Sequence, residues 1–213
     1  VVFVADATRD GYAALNTRHN FTVVRNGLDR TRIEQASREW SPAQARKSIG
    51  ACEGEVVILL LGTVCPRKGQ QDLVKALSQL SPDLQARVRC YIVGDRPSEY
   101  SAELHALAAQ LPPELRSRVH LIPETRDTTR YYRAADLFVC TSKLESYPRV
   151  VLEAMAYGLP IVTTPVFGIR EQVREGVNAL FYDAGDSGAL ADRLRCVLQD
   201  EALRARLAST SAS

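Results

Sequence analysis

Apolar residues in this chain gather in short runs, separated by stretches where apolar positions recur at helical spacing. Glu55–Leu61 (EVVILLL), Val88–Val93 (VRCYIV), Val119–Ile122, Asp136–Cys140, Ile161–Thr163 and Ala179–Tyr182 are short and mostly apolar, which predicts buried strands. Gln70–Leu80, Glu99–Gln110, Asp127–Ala134, the segment from Pro148, Ser187–Leu198 and Glu201–Ala208 predict helices between and after them. Thr31–Ile49 reads as largely helical and charged, with Pro42 starting a second segment. Strands alternating with helices at this rhythm imply an α/β fold, an open, doubly wound, Rossmann-like parallel sheet. Ahead of it, Val1–Ala5 and Phe21–Arg25 are short apolar segments flanking a candidate helix over Thr8–Leu15. The tail Ser209–Ser213 is expected to fray.

The pattern is densest over Asp136–Glu171. A strand leads into the polar loop Thr141–Tyr147, and a helix follows from Pro148, whose fixed φ and missing N–H suit a first helical position. Val151, Leu152, Met155 and Ala156 recur at helical spacing and are expected to face inward. Gly158 ends the helix before the strand at Ile161, giving a βαβ unit of the usual right-handed sense. Two carboxylates flank the turn, Glu145 in the loop and Glu153 in the helix, with seven residues between them. Glu153 is either a solvated helix-face charge or, in so apolar a helix, a carboxylate that needs a polar partner, since unpaired burial of charge is expensive.

Composition narrows the chemistry. With 213 residues and a net charge of +2, nothing in the balance calls for nucleic acid or an acidic membrane surface. No apolar run approaches the length of a membrane span, and the five cysteines are scattered without CxxC pairs, so a cytosolic protein without disulfides is expected. Cys90 and Cys140 fall in strands as small core residues. His19, His105 and His120 show no metal-ligand spacing.

In a doubly wound sheet ligands bind beyond the carboxyl ends of the strands. Those ends lead into Gly62–Gly69, Gly94–Arg96, Pro123–Arg126, Thr141–Tyr147 and Thr164–Gly168, where the distinctive polar residues lie. Lys68 opens a helix after a glycine-containing loop, so its ammonium and the helix amides favour a diphosphate. Neither GxGxxG nor GxxxxGK[ST] follows the first buried strand, which disfavours a dinucleotide oxidoreductase and an ATPase.

The stretch Glu145-Ser-Tyr-Pro-Arg-Val-Val-Leu-Glu153-Ala-Met-Ala-Tyr-Gly-Leu-Pro-Ile-Val resembles the Glu-x7-Glu signature of family-4 retaining glycosyltransferases (glycosyl transferases group 1). The similarity continues through Gly168-Ile-Arg-Glu171 and Glu175-Gly-Val-Asn178 and covers roughly Asn26 to Asp200. It implies the donor-binding, C-terminal half of a GT-B enzyme. Asn26-Gly-Leu-Asp29 resembles the family's passage between domains, so residues 1–25 are expected to be the trailing end of an N-terminal acceptor domain and 26–213 the donor domain.

By the same resemblance, Gly62, Lys68 and Gly69 match a Gly-Arg-x4-Lys-Gly pattern that holds the donor's phosphates, while Thr63 stands where the family has arginine. Arg67 is a candidate for the missing charge, although neighbouring side chains at a helix start are expected to diverge. Glu153 implies a contact to the ribose hydroxyls, and Glu145 a place near the transferred sugar, orienting hydroxyls or assisting charge development. Lys68 and Glu145 are thus the expected catalytic pair, with Gly94 at a strand end beside them. Phe167-Gly168 stands for a loop whose amides meet sugar or phosphate, with close approach at Gly168 only, and Ser146-Tyr147-Pro148 replaces Gly-Phe-Gly, so that Tyr147 narrows the pocket.

The function implied is sugar transfer from a UDP-, GDP- or ADP-linked donor with retention of configuration, without metal or cofactor. The acceptor site, and any membrane contact, would belong to the N-terminal domain, leaving this chain weakly active or inactive alone. The alternative is a non-catalytic nucleotide- or nucleotide-sugar-binding domain, supported only by Thr63.

Overall fold

The computed structural model describes residues 1–211 and, within them, every side chain but that of Arg32. Among the described residues there are eight strands: β1 (Val2–Phe3), β2 (Thr22–Val23), β3 (Val56–Leu61), β4 (Val88–Asp95), β5 (Val119–Pro123), β6 (Leu137–Cys140), β7 (Ile161–Thr163) and β8 (Ala179–Phe181). The helices are α1 (Asp6–Gly11), α2 (Arg30–Glu39), α3 (Pro42–Ile49), α4 (Gln70–Ser78), α5 (Pro82–Arg87), α6 (Glu99–Ala109), α7 (Pro113–Arg116), α8 (Thr129–Ala134), α9 (Arg149–Ala156), α10 (Ser187–Gln199) and α11 (Glu201–Ser211). The last six strands form one sheet in the order β5-β4-β3-β6-β7-β8, all parallel. β1 and β2 pair in parallel with each other and lie outside that sheet.

The strands of the six-stranded sheet are mostly apolar because helices cover both faces. Ile58 and Leu60 of β3 point to the face packed with Leu73 and Leu77 of α4, Leu104 of α6 and Leu194 of α10. Val57 and Leu59 point the other way, against Tyr132 of α8 and Val151 and Ala154 of α9. Cys90 and Cys140 are buried in strands as expected, and burial pushes the Cys90 thiol up to about 12.

Helix α9 departs from its expected orientation. Pro148 is the residue before the helix, with extended backbone, and Arg149 is the first helical residue. Val151 and Ala154 are the buried positions, while Leu152 and Met155 are half-buried and Ala156 is exposed. At 3.6 residues per turn, the sheet-facing stripe runs through 151 and 154, with Met155 packed at the margin of the same core. Leu152, Met155 and Ala156 wall a cavity of about 370 Å³ shared with Asn26, Leu28 and Ile33. At the carboxyl end, Ser209–Ser211 is helical rather than frayed, with the buried Ser211 hydroxyl donating to the Leu207 carbonyl at 3.0 Å. The remaining tail residues, 212 and 213, lie outside the described residues.

A charge cluster closes the amino-terminal edge of the sheet, away from the ligand edge. Glu55 accepts from Arg89 Nε at 2.6 Å, Arg118 Nη1 at 2.6 Å and the Cys52 N–H at 2.7 Å. Burial opposes ionisation of Glu55, but the hydrogen bond from Arg89, the Cys52 amide and the two guanidinium charges outweigh it and hold the carboxyl down at about 2. A depressed carboxyl stabilises the fold above its unfolded value and loses that contribution as pH falls toward its folded value. Acid unfolding between about pH 4.5 and 2 should therefore be less steep in Glu55→Gln, which also costs about 1–2 kcal/mol at pH 7. Urea melts across that range check both. His120 belongs to the same cluster, stacked on Tyr91 at 4.9 Å, a packed residue rather than a catalyst.

Candidate functional site

The strand order runs outward in opposite directions from β3 and β6, so the connections that leave these neighbours diverge. That places the loop after β3 (62–69) beside the loop after β6 (141–147). Gly62 N–H donates to the Val93 carbonyl and Val64 N–H to the Gly94 carbonyl, both at 2.9 Å, tying the first loop to the end of β4. A Cβ on Gly94 would lie 2.4 Å from the Gly62 carbonyl oxygen, at a φ of +118°. Gly94 is buried and seats the turn from behind. Thr63 is exposed, and its carbonyl accepts from the Gln70 side chain at 3.0 Å.

Pro66–Lys68 forms a 3₁₀ turn and α4 begins only at Gln70, so Lys68 lies ahead of the helix it was expected to open. The stem of Lys68 crosses Gly62, 3.6 Å from where a Cβ would stand. Arg67 and Lys68 do not diverge. Both reach the same oxygen of Glu145: Lys68 Nζ forms an ion pair with Oε1, and Arg67 Nη1 donates to it at 3.1 Å. The Ser142 hydroxyl donates to Oε1 as well, at 3.2 Å. Glu145 is only 8% exposed, and a buried carboxylate is tolerated where cations and hydrogen bonds compensate it. Arg67 has a second anchor in the Leu144 carbonyl at 3.2 Å. Arg67, Glu145, Ser146 and Tyr147 line a cavity of about 370 Å³ together with Val4 and Asn26. Asn26 Nδ2 donates to the Tyr147 carbonyl at 2.8 Å, joining the linker to this loop.

Glu153 opens onto a different cavity, of about 220 Å³, whose walls include Leu28, Ile33, Arg126, Tyr132 and Arg149. The half-buried carboxylate has the polar partner its helix required, because Tyr132 donates to Oε2 at 2.9 Å. Burial and the nearby Glu153 charge push the Tyr132 phenol well up, so it remains a neutral donor. Tyr132 is also stacked on Tyr157 at 5.0 Å, which fixes its ring.

The third loop differs from expectation. A Cβ on Gly168 would lie 1.6 Å from the Ser146 carbonyl oxygen and 2.9 Å from Ala5 Cβ. The close approach that Gly168 permits is therefore made by the chain itself, and the residue is buried. Exposed Phe167, with φ +41°, is the residue that presents this loop outward. Nearby, Glu171 accepts from the Asp6 and Ala7 amides at 3.2 and 2.8 Å and pairs with Arg25 at 3.1 Å, holding residues 1–25 against the same loop.

The sequence profile described as "Glycosyl transferases group 1" matches residues 43–213. The chain belongs to that family. It corresponds to the C-terminal domain of a GT-B, group 1 glycosyltransferase. Among its relatives, the D-inositol 3-phosphate glycosyltransferase of Xylanimonas cellulosilytica is 37% identical over 77% of this chain and 39% of that protein. The protein of the same name from Salinispora arenicola is 36% identical over 93% and 46%. A crystal structure of Anabaena HepE in complex with UDP and glucose superposes on the whole chain with a TM-score of 0.86 at 28% identity, covering 56% of the HepE chain. The chain thus spans about two fifths of the length of these curated relatives.

Tyr132 is not legible as a site residue from the sequence, because it acts by holding a carboxylate from another helix, and Ser142 acts locally, on a carboxylate three residues along its own loop. The only signal was the demand of Glu153 for a partner. Among the described residues no cluster of three or more His, Cys, Asp or Glu could hold a metal ion, and no helix is long and apolar enough to cross a membrane.

Proposed function

We propose that this chain is the donor-binding half of a retaining, hexosyltransferase-type glycosyltransferase that uses a nucleotide-diphospho-sugar. The observation that carries the reading is the convergence of Arg67 and Lys68 on Glu145 at the sheet's switch point. The donor would lie along the carboxyl edge of the sheet. Its ribose diol meets Glu153, a two-oxygen acceptor oriented by Tyr132. Its diphosphate meets Arg67 and Lys68, and its sugar lies beside Glu145. The bond to the sugar breaks as negative charge grows on the departing nucleoside diphosphate, and the two cations stabilise that charge in place of a metal ion. The acceptor would attack from the same face of the sugar, and its site is assigned to a further domain. The base is assigned as uracil, in line with the UDP and UDP-glucose complexes of HepE.

The non-catalytic alternative rested on the missing charge at Thr63, and Arg67 brings a second cation to the cluster. Calorimetric titration of this chain with UDP, GDP and ADP tests the assignment. UDP is expected to bind selectively with a Kd of about 0.1 mM, unchanged by EDTA, since two or three charge-assisted hydrogen bonds plus base stacking suffice for it. Absence of binding by all three would sink the donor reading, and selective GDP or ADP binding would replace the base.

A further inference from the structure

We infer that Glu145 competes with the donor's diphosphate for Arg67 and Lys68, so that phosphate binding releases the carboxylate toward the sugar. This rests on the donor reading above. Three donors, Lys68, Arg67 and the Ser142 hydroxyl, all fall on Oε1. Both cations that the diphosphate would use are therefore already engaged by one buried anion.

Two effects of Glu145 on a diphosphate oppose each other. The carboxylate could hold the cations in a receptive geometry, which would aid binding. It also repels a ligand carrying two or more negative charges and must surrender its own ion pairs, which hinders binding. The structure favours the second effect, because each cation has another support. Arg67 Nη1 is bonded to the Leu144 carbonyl at 3.2 Å, and the stem of Lys68 rests on Gly62. Their positions do not depend on Glu145 alone, whereas the repulsion does.

The exchange is one of partners only: phosphate oxygens replace Oε1 on the guanidinium and ammonium, and no proton or covalent bond changes hands. Oε1 then has lone pairs to accept from sugar hydroxyls. A nucleoside diphosphate alone displaces Glu145 and offers it nothing in return, whereas a nucleotide-sugar supplies new donors. Glu145 thereby raises the preference for donor over the released nucleotide, a specificity role at the same site.

Titration of UDP, UDP-glucose and inorganic pyrophosphate into wild type, Glu145→Gln, Arg67→Gln and the double variant tests this. Glu145→Gln is expected to tighten UDP and pyrophosphate about tenfold, and UDP-glucose by less than UDP. In the Arg67→Gln background the gain should shrink to about threefold, since one contested cation is gone. Glu145→Asp provides a second route should the amide fail to fold: its shorter side chain withdraws from the cations and is expected to tighten UDP about threefold. Equal or weaker UDP binding by the folded Glu145 variants, with wild type binding normally, would overturn the competition while leaving the donor reading intact. Failure of wild type to bind any nucleoside diphosphate would instead remove the donor reading, and the competition with it.

Discussion

Lys68→Ala is expected to lower the affinity of this chain for UDP about 100-fold while leaving uridine within about threefold. Lys68 is a largely buried ammonium, with 15% of its side chain exposed, and its stem is fixed over Gly62. A charge-assisted hydrogen bond from such a group contributes roughly 1.5–3 kcal/mol, and a hundredfold loss corresponds to about 2.8 kcal/mol, near the top of that range. The upper end is appropriate because alanine leaves one cation to face the diphosphate, and that cation, Arg67, is half exposed and also bound to Glu145. The fold should survive, since Glu145 keeps Arg67 and Ser142 as partners after the change. Circular dichroism and a urea melt verify that before titration. Equal losses for UDP and uridine would remove Lys68 from the phosphates.

Glu153→Ala should behave differently. In the proposed donor pose its partner is the ribose, so UDP and uridine are expected to weaken together, by about tenfold or more. Binding of 2′-deoxy-UDP should respond far less, because it offers the carboxylate only one hydroxyl. Alanine also strands the Tyr132 phenol, but the Val150 carbonyl lies 3.4 Å away as a second acceptor, so the expected stability cost is about 1 kcal/mol. Unchanged UDP affinity in a folded Glu153→Ala protein would sink the ribose role.

These two variants separate the proposed ends of the donor because Glu145, the partner of Lys68, and Glu153 open onto different cavities. Their spacing along the chain suggested a single turn flanked by two acids. The helix between them carries Glu153 onto the face that meets Tyr132, while Glu145 remains in the loop beside the end of β3. Arg67 shows the opposite correction. Neighbouring side chains in a short turn leave the backbone in different directions, but both are long, and a buried carboxylate between them draws both in.

The sequence alone determined the order of the six sheet strands and of the longer helices, though not the short α5 and α7, because strands covered on both faces are mostly apolar and longer helices repeat at their own period. It also marked the loops at the carboxyl edge as the place for a ligand, with Glu145, Glu153 and Lys68 at their heart. Only the tertiary structure decided which groups meet there. The strand order sets the β3 and β6 loops side by side, which brings Arg67, Lys68 and Ser142 onto one oxygen of Glu145. The same packing turned Leu152 and Ala156 of α9 toward a cavity and filled the space at Gly168 with the Ser146 carbonyl. Apart from the local Ser142–Glu145 contact, these join residues that are far apart in the chain, and periodicity reports only on neighbours.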